Sequence, residues 1–301
     1  MSPLALGLVL VAALCHTTWN LVAKRASGGD AFQLASSALV ALLWAPPAIW
    51  AATQAGGAAA ERGPGGWGLA EWACVAASGL LHLAYFSALL RGYRESDLTV
   101  VYPVARGSGP LLSSAGAVLL LGERLTPLAA LGALAVVAGV FLVAGGPGLW
   151  RQAHDAGQRS RVRRGVGWGA ATGACIAAYT LVDSYAVKVL LLSPILVDYF
   201  GNLLRLAALL PVALRDRAGF AAAWRAQWRA ALVVAALGPL AYLLVLYAMR
   251  LAPLSHVAPA REVSMLFAAL LGGQLLGESD RLLRLAGAAG IAAGIAGLAL
   301  G

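Results

Sequence analysis

The pair Ala105-Arg106, followed by Gly122-Glu123, occurs a second time as Ala260-Arg261 followed by Gly277-Glu278, each residue displaced by 155 positions. Gly132 and Gly139 fall on Gly287 and Gly294 at the same displacement, and Val140 falls on Ile295. Both copies lie in apolar runs of membrane-spanning length. In hydrocarbon every backbone N–H and C=O must be paired inside the segment, so such runs fold as helices. A repeat of this length within them restricts the chain to a duplicated helical bundle with a charged residue at matching depth in each half, a common way of building transporters.

The solvent of such a chain is lipid. Of its 301 residues 60% are hydrophobic and 12% charged, against about 25% charged in an ordinary soluble domain. The formal net charge is +9, but the basic residues sit in short connections between apolar runs. That placement suits lipid headgroups. It offers no continuous basic face for nucleic acid. Cys15, Cys74 and Cys175 lie within apolar runs, odd in number and widely spaced, so neither a disulfide framework nor a metal site is expected. The N-terminal run lacks a basic leader and is interrupted by His16 and Asn20, so it is expected to be a retained first helix. No phosphate-binding Walker loop, HExxH or GxSxG is present; ATP hydrolysis and the common hydrolase mechanisms have no support, and no cofactor is expected.

About 20 apolar residues cross a bilayer core. On that measure ten spans are expected, near residues 3–23, 31–52, 67–91, 98–121 and 126–146, then 166–187, 194–214, 230–250, 254–276 and 281–300. The fold class is therefore an all-α polytopic membrane protein of ten helices in two five-helix repeats. The first repeat covers 1–146 and the second 166–301, joined by a basic connection over 147–165. Five helices per repeat is an odd number, so the second repeat starts on the opposite side and the two are inverted. Of the 22 Lys and Arg residues, fifteen fall on the side holding the basic connection and four (Arg62, Arg124, Lys188, Arg250) on the side of the termini. The positive-inside rule then places the basic connection in the cytoplasm and both termini outside.

The remaining three basic residues are intramembrane. Arg205 lies about 16 Å beyond Pro194, Arg106 roughly 13 Å beyond Asp97 and Arg261 about 12 Å beyond Pro253, at 1.5 Å per residue. Charges at this depth are costly and usually face an internal cavity. Two readings stay open for Arg106 and Arg261: they bind an anionic group, which suits guanidinium, or they lock helices by bonding carbonyls freed by Pro103, Pro110 and Pro259, or an acid such as Glu262. The candidate substrate site comprises Arg205, Arg106, Arg261 and Glu262, filled out by Trp19, Asn20, Tyr85, Tyr102, Tyr179 and Tyr242. Glu262, His16 and His82 are the candidate proton carriers. Asp183 and Asp198 are further acids near the core. Glu123 and Glu278, each at a helix junction, are expected to cap helix N-termini. The glycine faces 165/169/173, 290/294 and 297/301 are expected to pack helices closely. Trp67, Trp72, Trp150 and Trp168 are expected as interfacial anchors.

The run Tyr102-Pro103-Val104, then Leu121-Gly122-Glu123-Arg124-Leu125, Gly132 and Ala138-Gly139-Val140 resembles the EamA branch of the drug/metabolite transporter superfamily. So does its second copy, Pro259, Leu276-Gly277-Glu278, Gly287 and Ala293-Gly294-Ile295, and so does the first-helix run His16 to Lys24. The resemblance implies a ten-helix inner-membrane transporter with a central cavity, moving small metabolites such as amino acids, commonly outward, with both termini cytoplasmic. The Lys/Arg bias of this chain departs from that last feature.

The expected function is a secondary transporter, and within that an exporter, of a small anionic or zwitterionic metabolite working by alternating access. Its expected partners are the small-molecule substrate and the bilayer, as a monomer or homodimer. The alternatives are an intramembrane enzyme, for which His16, His82 and Asp183 would have to assemble, and a non-transporting scaffold.

Overall fold

The computed structural model describes residues 1–26, 29–54, 62–143, 156–271 and 281–301. The second half of the GE signature (Leu276, Gly277, Glu278), the Ser279-Asp280 junction, Trp150 and residues 147–155 of the basic connection lie outside the described residues.

Among the described residues the chain is all-α. In order it forms α1 (Pro3–Arg25), α2 (Asp30–Leu43), α3 (Ala45–Gln54), α4 (Leu69–Glu95), α5 (Leu98–Leu120) and α6 (Pro127–Val143). These are followed by α7 (Ala156–Lys188), α8 (Pro194–Arg215), α9 (Arg217–Leu251), α10 (Leu254–Ala260), α11 (Val263–Leu271) and α12 (Arg281–Leu300). Among the described residues five helices are long and apolar enough to cross a bilayer: 3–23, 69–95, 157–188, 194–215 and 217–251; α2 with α3, bent by 45°, would form a sixth.

Two of the ten expected spans are broken, each for a local reason. The second ends a helix at Leu43 and resumes at Ala45. Pro46 and Pro47 have no N–H to give the preceding turn and fit only in the first turn of a new helix. The indole of Trp44, at the bend, donates to the Ala235 carbonyl at 3.0 Å. The ninth is divided into α10 and α11 at Arg261-Glu262. There the backbone closes through shorter-range bonds: Glu262 N to Pro259 O at 3.0 Å, Ser264 N to Arg261 O at 3.3 Å, and Met265 N to Glu262 O at 2.8 Å. The basic connection, in turn, is helical from residue 156 on, where Arg159, Arg161, Arg163 and Arg164 are exposed. At 1.5 Å per residue α7 is about 50 Å long, more than a bilayer core needs.

The chain forms two compact units. The first comprises residues 1–10, 81–181 and 251–301. Its most extensive helix pair is α6 with α12, and glycine is what allows the approach. A Cβ on Gly132 would sit 2.7 Å from the Gly294 carbonyl, and one on Gly139 2.5 Å from that of Gly287. Gly287 and Gly294 meet Gly139 and Gly132 in return, at 2.7 and 2.6 Å. Because Gly132 corresponds to Gly287 and Gly139 to Gly294 in the repeat, the pairing is crossed. The two helices run antiparallel and present the same patch to each other, the pattern of an isologous two-fold contact. Close backbone approach through small residues is how helices associate without a hydrophobic driving force. The 165/169/173 face likewise packs within the chain, against Ser96, Val104 and Ser108 of the α4–α5 junction and α5.

The second unit comprises residues 11–80 and 182–250. In it α8 packs on α2 and α3. Asn202 donates its amide to the Ser37 carbonyl at 3.0 Å and Tyr199 its hydroxyl to the Ala41 carbonyl at 3.1 Å. Phe32, Ala35 and Ala231 pack together, backed by Leu39 and Phe220. Trp67 is buried and stacks edge-on with Trp72 and Phe200.

Gly139→Ala is expected to lower stability by about 1–3 kcal/mol, the cost of overpacking a tight contact. Gly7→Ala, whose Cβ would meet nothing within 4 Å, is expected to be neutral. Thermal melts of the two purified variants in detergent check this, and equal melting would contradict the proposed tightness of α6 on α12.

Candidate substrate site

Helix α10 is only seven residues long, and all seven are buried. Its first amides have no partner within the helix. Glu123 supplies both bonds: Oε1 accepts from Leu254 N at 2.8 Å and Oε2 from Ser255 N at 2.9 Å. The glycine before it makes this possible. Gly122 has φ +67°, a left-handed conformation that glycine adopts without steric cost, and the chain turns there after α5. The Glu123 amide closes back on the Ala117 carbonyl at 3.1 Å. The expected cap is therefore present, but on a helix of the other half of the chain rather than on α6, the next in sequence. Further along α10, Pro259 withholds the donor that the Ser255 carbonyl would take in a regular helix. Ser114 of α5 gives its hydroxyl to that carbonyl instead, at 3.1 Å.

The other end of α10 carries the charges. Arg261 is its C-terminal cap and Glu262 stands just before α11. A cation thus sits at the carbonyl end of one helix and an anion at the amide end of the next, both favourable for the helix dipoles. Arg106 of α5 reaches this break. Its Nε lies 3.0 Å from Glu262 Oε2, with side chains 8% and 2% exposed. That contact is an ion pair without hydrogen-bond angle. A second guanidinium nitrogen donates to the Ser264 hydroxyl at 2.9 Å. Tyr102, one turn earlier on α5, lies under the same guanidinium at 5.9 Å from the ring centroid.

Arg261 faces a different set of groups. Its guanidinium is 3.4 Å from the Tyr179 hydroxyl. His82 stacks on the Tyr179 ring with centroids 3.9 Å apart, and Tyr85 meets the same ring edge-on at 5.9 Å. Tyr179 is thus the shared contact of Arg261, His82 and Tyr85, and Arg261 adjoins Glu262 in the chain, which joins this group to the Arg106 pair. Arg106, Glu262 and Tyr179 are buried, while Arg261, His82, Tyr85 and Tyr102 keep part of their surface accessible. The cluster has an inner ion pair and an accessible face made of one arginine and aromatic rings. Such a face can hold a carboxylate on guanidinium and an organic body on the rings.

The first unit thus gathers seven of the sequence-derived candidates: Arg106, Arg261, Glu262, Tyr85, Tyr102, Tyr179 and His82. The second holds the others. Asn20 donates its amide back to the His16 carbonyl at 2.7 Å, and the rings of His16 and Trp19 meet edge-on at 5.0 Å. Tyr242 donates its hydroxyl to Asp183, a carboxylate buried completely in α7. Arg205 is partly buried in α8, and its Nε has no hydrogen-bond partner among the described residues. Asp198, seven residues earlier, shares its helix face. Sequence reasoning singled out Asp183 only as an acid near the core; its place one turn after Tyr179 was the available signal. It had no means of finding Ser114 or Ser264, since a lone serine in an apolar run carries no spacing signature.

The sequence pattern of the EamA-like transporter family matches residues 3–145 and again residues 163–300. The chain belongs to the EamA-like transporter family. The two matches are its two repeats, and as an EamA-like protein it is a membrane transporter of the drug/metabolite type. A solved structure titled only "Crystal structure of protein" superposes with a TM-score of 0.72 at 17% identity, covering 98% of this chain and 96% of that one. At that identity the likeness is one of fold. No curated protein sequence matches the EamA-like transporter.

Breaking the inner ion pair is expected to cost more than removing it. Arg106→Gln or Glu262→Gln alone leaves an uncompensated buried charge, at about 3–5 kcal/mol, whereas the double variant is expected to cost far less than the sum. A double-mutant cycle by thermal or denaturant melting in detergent checks this; additive losses would mean the pair is not coupled. Glu123→Ala is expected to cost about 0.5–2 kcal/mol, the usual worth of a cap, and Glu123→Gln less, because the amide oxygen still accepts one bond.

Proposed function

We propose that this EamA-like transporter exports a small anionic or zwitterionic metabolite, of the amino-acid or organic-acid class, by alternating access. In this reading its ten helices form two inverted five-helix repeats, residues 1–146 and 166–301, in a bacterial inner membrane with both termini outside. The carrying observation is the accessible Arg261 against Tyr179, whose ring also meets His82 and Tyr85, beside an arginine engaged by Glu262 and Tyr102. Arg261 would take the carboxylate of the substrate and the rings its organic part. Of the three candidate proton carriers, Glu262 is held by Arg106, and His82 stacks within the cluster, so His82 is the coupling group in this reading. Arg205, Trp19, Asn20 and Tyr242 remain candidate contacts along the substrate's path.

Purified protein is expected to gain thermal stability from a subset of amino acids and organic acids, since a ligand that binds only the folded state stabilises it by mass action. Arg261→Ala is expected to weaken that binding about 10- to 100-fold, the worth of a hydrogen bond to a charged group. Flux in proteoliposomes is expected to respond to a pH gradient in the wild type and not in His82→Gln. An Arg261→Ala protein that folds and transports normally would remove the cluster from the substrate path.

A further inference from the structure

The second unit carries two opposite charges that its own side chains leave unanswered. Asp198 and Arg205 stand seven residues apart on α8, on one face of the helix. Gly201 and Asn202 lie between them on that face and Leu209 beyond them, all buried. Asn202 gives its amide to the Ser37 carbonyl of α2 at 3.0 Å, and a Cβ on Gly201 would come within 3.9 Å of Gly79 on α4. Ala207, Ala208 and Leu210, on other sides of α8, are exposed. The two charges therefore look toward the interior of the unit rather than toward lipid.

The backbone separates them by about 10 Å, at 1.5 Å per residue. Helical side chains lean toward the helix N-terminus, so Arg205 leans toward Asp198. The Arg205 charge acts on Asp198, yet the two do not meet in an ion pair. Among the described residues no hydrogen bond reaches either of them, and the buried Nε of Arg205 has no partner. Both keep part of their surface accessible. The gap is too wide for direct contact and narrow enough for one charge to act on the other, which is the space a bridging ligand fills.

We infer that Asp198 and Arg205 form a binding site for a zwitterion, with the ligand's ammonium on Asp198 and its carboxylate on Arg205. Two charges left unjoined at membrane depth are costly, and a ligand carrying both opposite charges answers both at once. Guanidinium takes the carboxylate bidentately. An organic acid without an amino group would answer Arg205 but set a second negative charge near Asp198, and an amine without a carboxylate would do the reverse at Arg205. Asp198 is thereby the residue that separates zwitterions from plain anions, by an unfavourable contact with the wrong ligand. The inference rests on the proposed function in taking a carboxylate-bearing metabolite as the substrate, and narrows it to one that also carries an ammonium.

The test uses matched probes: an amino acid, the acid that lacks its amino group and the amine that lacks its carboxylate. The sets are alanine with propanoate and ethylamine, leucine with isocaproate and isopentylamine, and phenylalanine with hydrocinnamate and phenethylamine. Dissociation constants are measured by calorimetry on the purified full chain in detergent at neutral pH. The wild type is expected to bind the amino acid about tenfold or more tighter than both truncated forms in at least one set, the worth of a hydrogen bond to a charged group. Asp198→Asn is expected to lose the preference over the acid, and Arg205→Gln the preference over the amine, each ratio falling about tenfold. Ratios within about twofold of the wild type in both variants overturn the inference and leave the substrate reading intact. So does a wild type that binds the acid as tightly as the amino acid. If no amino acid binds the wild type, the inference falls; the substrate reading then stands if organic acids such as succinate bind, and falls with it if they do not. Should either single variant not fold, Asp198→Asn/Arg205→Gln takes its place, since it has the wild-type net charge and leaves no lone ion. It is expected to bind the amino acid about tenfold or more weakly than the wild type, and unchanged affinity overturns the inference.

Discussion

A helix of seven residues buried on every side has to have its end groups satisfied by other parts of the chain, because neither water nor its own turns can do so. That constraint on α10 organises the first unit. One end is held by the carboxylate of Glu123, delivered by the left-handed turn at Gly122. The middle is held by Ser114, which answers the carbonyl that Pro259 leaves without its helical donor. At the far end the chain breaks at Arg261-Glu262, and Arg106 spans the break through Glu262 and Ser264. All three clamps come from α5 or the turn that follows it. What looks like a set of separate polar contacts is a single arrangement: a short helix pinned at each point where its backbone or charges would be unsatisfied in hydrocarbon.

The same arrangement shows how a duplicated signature yields two different roles. Arg106 and Arg261 are equivalent in the repeat, but α5 continues unbroken through Pro103 and Pro110 while its counterpart is interrupted. The residue after Arg106 is Gly107, and the residue after Arg261 is Glu262. One arginine therefore finds a carboxylate at the other's break and becomes part of the framework. The other is turned toward Tyr179 and keeps accessible surface. The crossed glycine pairs of α6 and α12 retain the symmetry that the charged layer has lost. There only backbone shape is at stake, and two copies of one patch fit each other equally well.

Much of this was legible beforehand, and the residues show why. Gly294, in the 290/294 face, announces a close helix contact because small residues four apart have few other uses in an apolar run, whereas Gly132, Gly139 and Gly287 stood out only as marks of the repeat. Glu123 at a helix junction announces a cap because a carboxylate there has few other partners. The motif could not say which helix is capped, since the partner amides are 131 residues away. Nor could it foresee the breaks after Leu43 and Ala260. Pro259 was visible, but Pro103, Pro110, Pro211 and Pro239 sit inside helices that continue. Whether proline interrupts a membrane helix depends on who receives the freed carbonyl. Arg205, prominent by depth, falls in the second unit with Asp198 on its own helix face, and the aromatic cluster forms around Arg261.

By itself the sequence determined that the chain is a duplicated, all-helical membrane protein, and it picked out some of the glycines that allow close packing. Those follow from local quantities: hydropathy, helical spacing and the cost of unpaired groups in lipid. Only the tertiary structure decided that Glu123 caps α10, that Arg106 is bound to Glu262 and Ser264, and that Arg261 meets Tyr179 while Arg106 lies against Tyr102. Each of those is a pairing between distant segments. In a medium without water the energy of a charge or an unpaired amide depends almost wholly on its partner, and the partner is set by the fold.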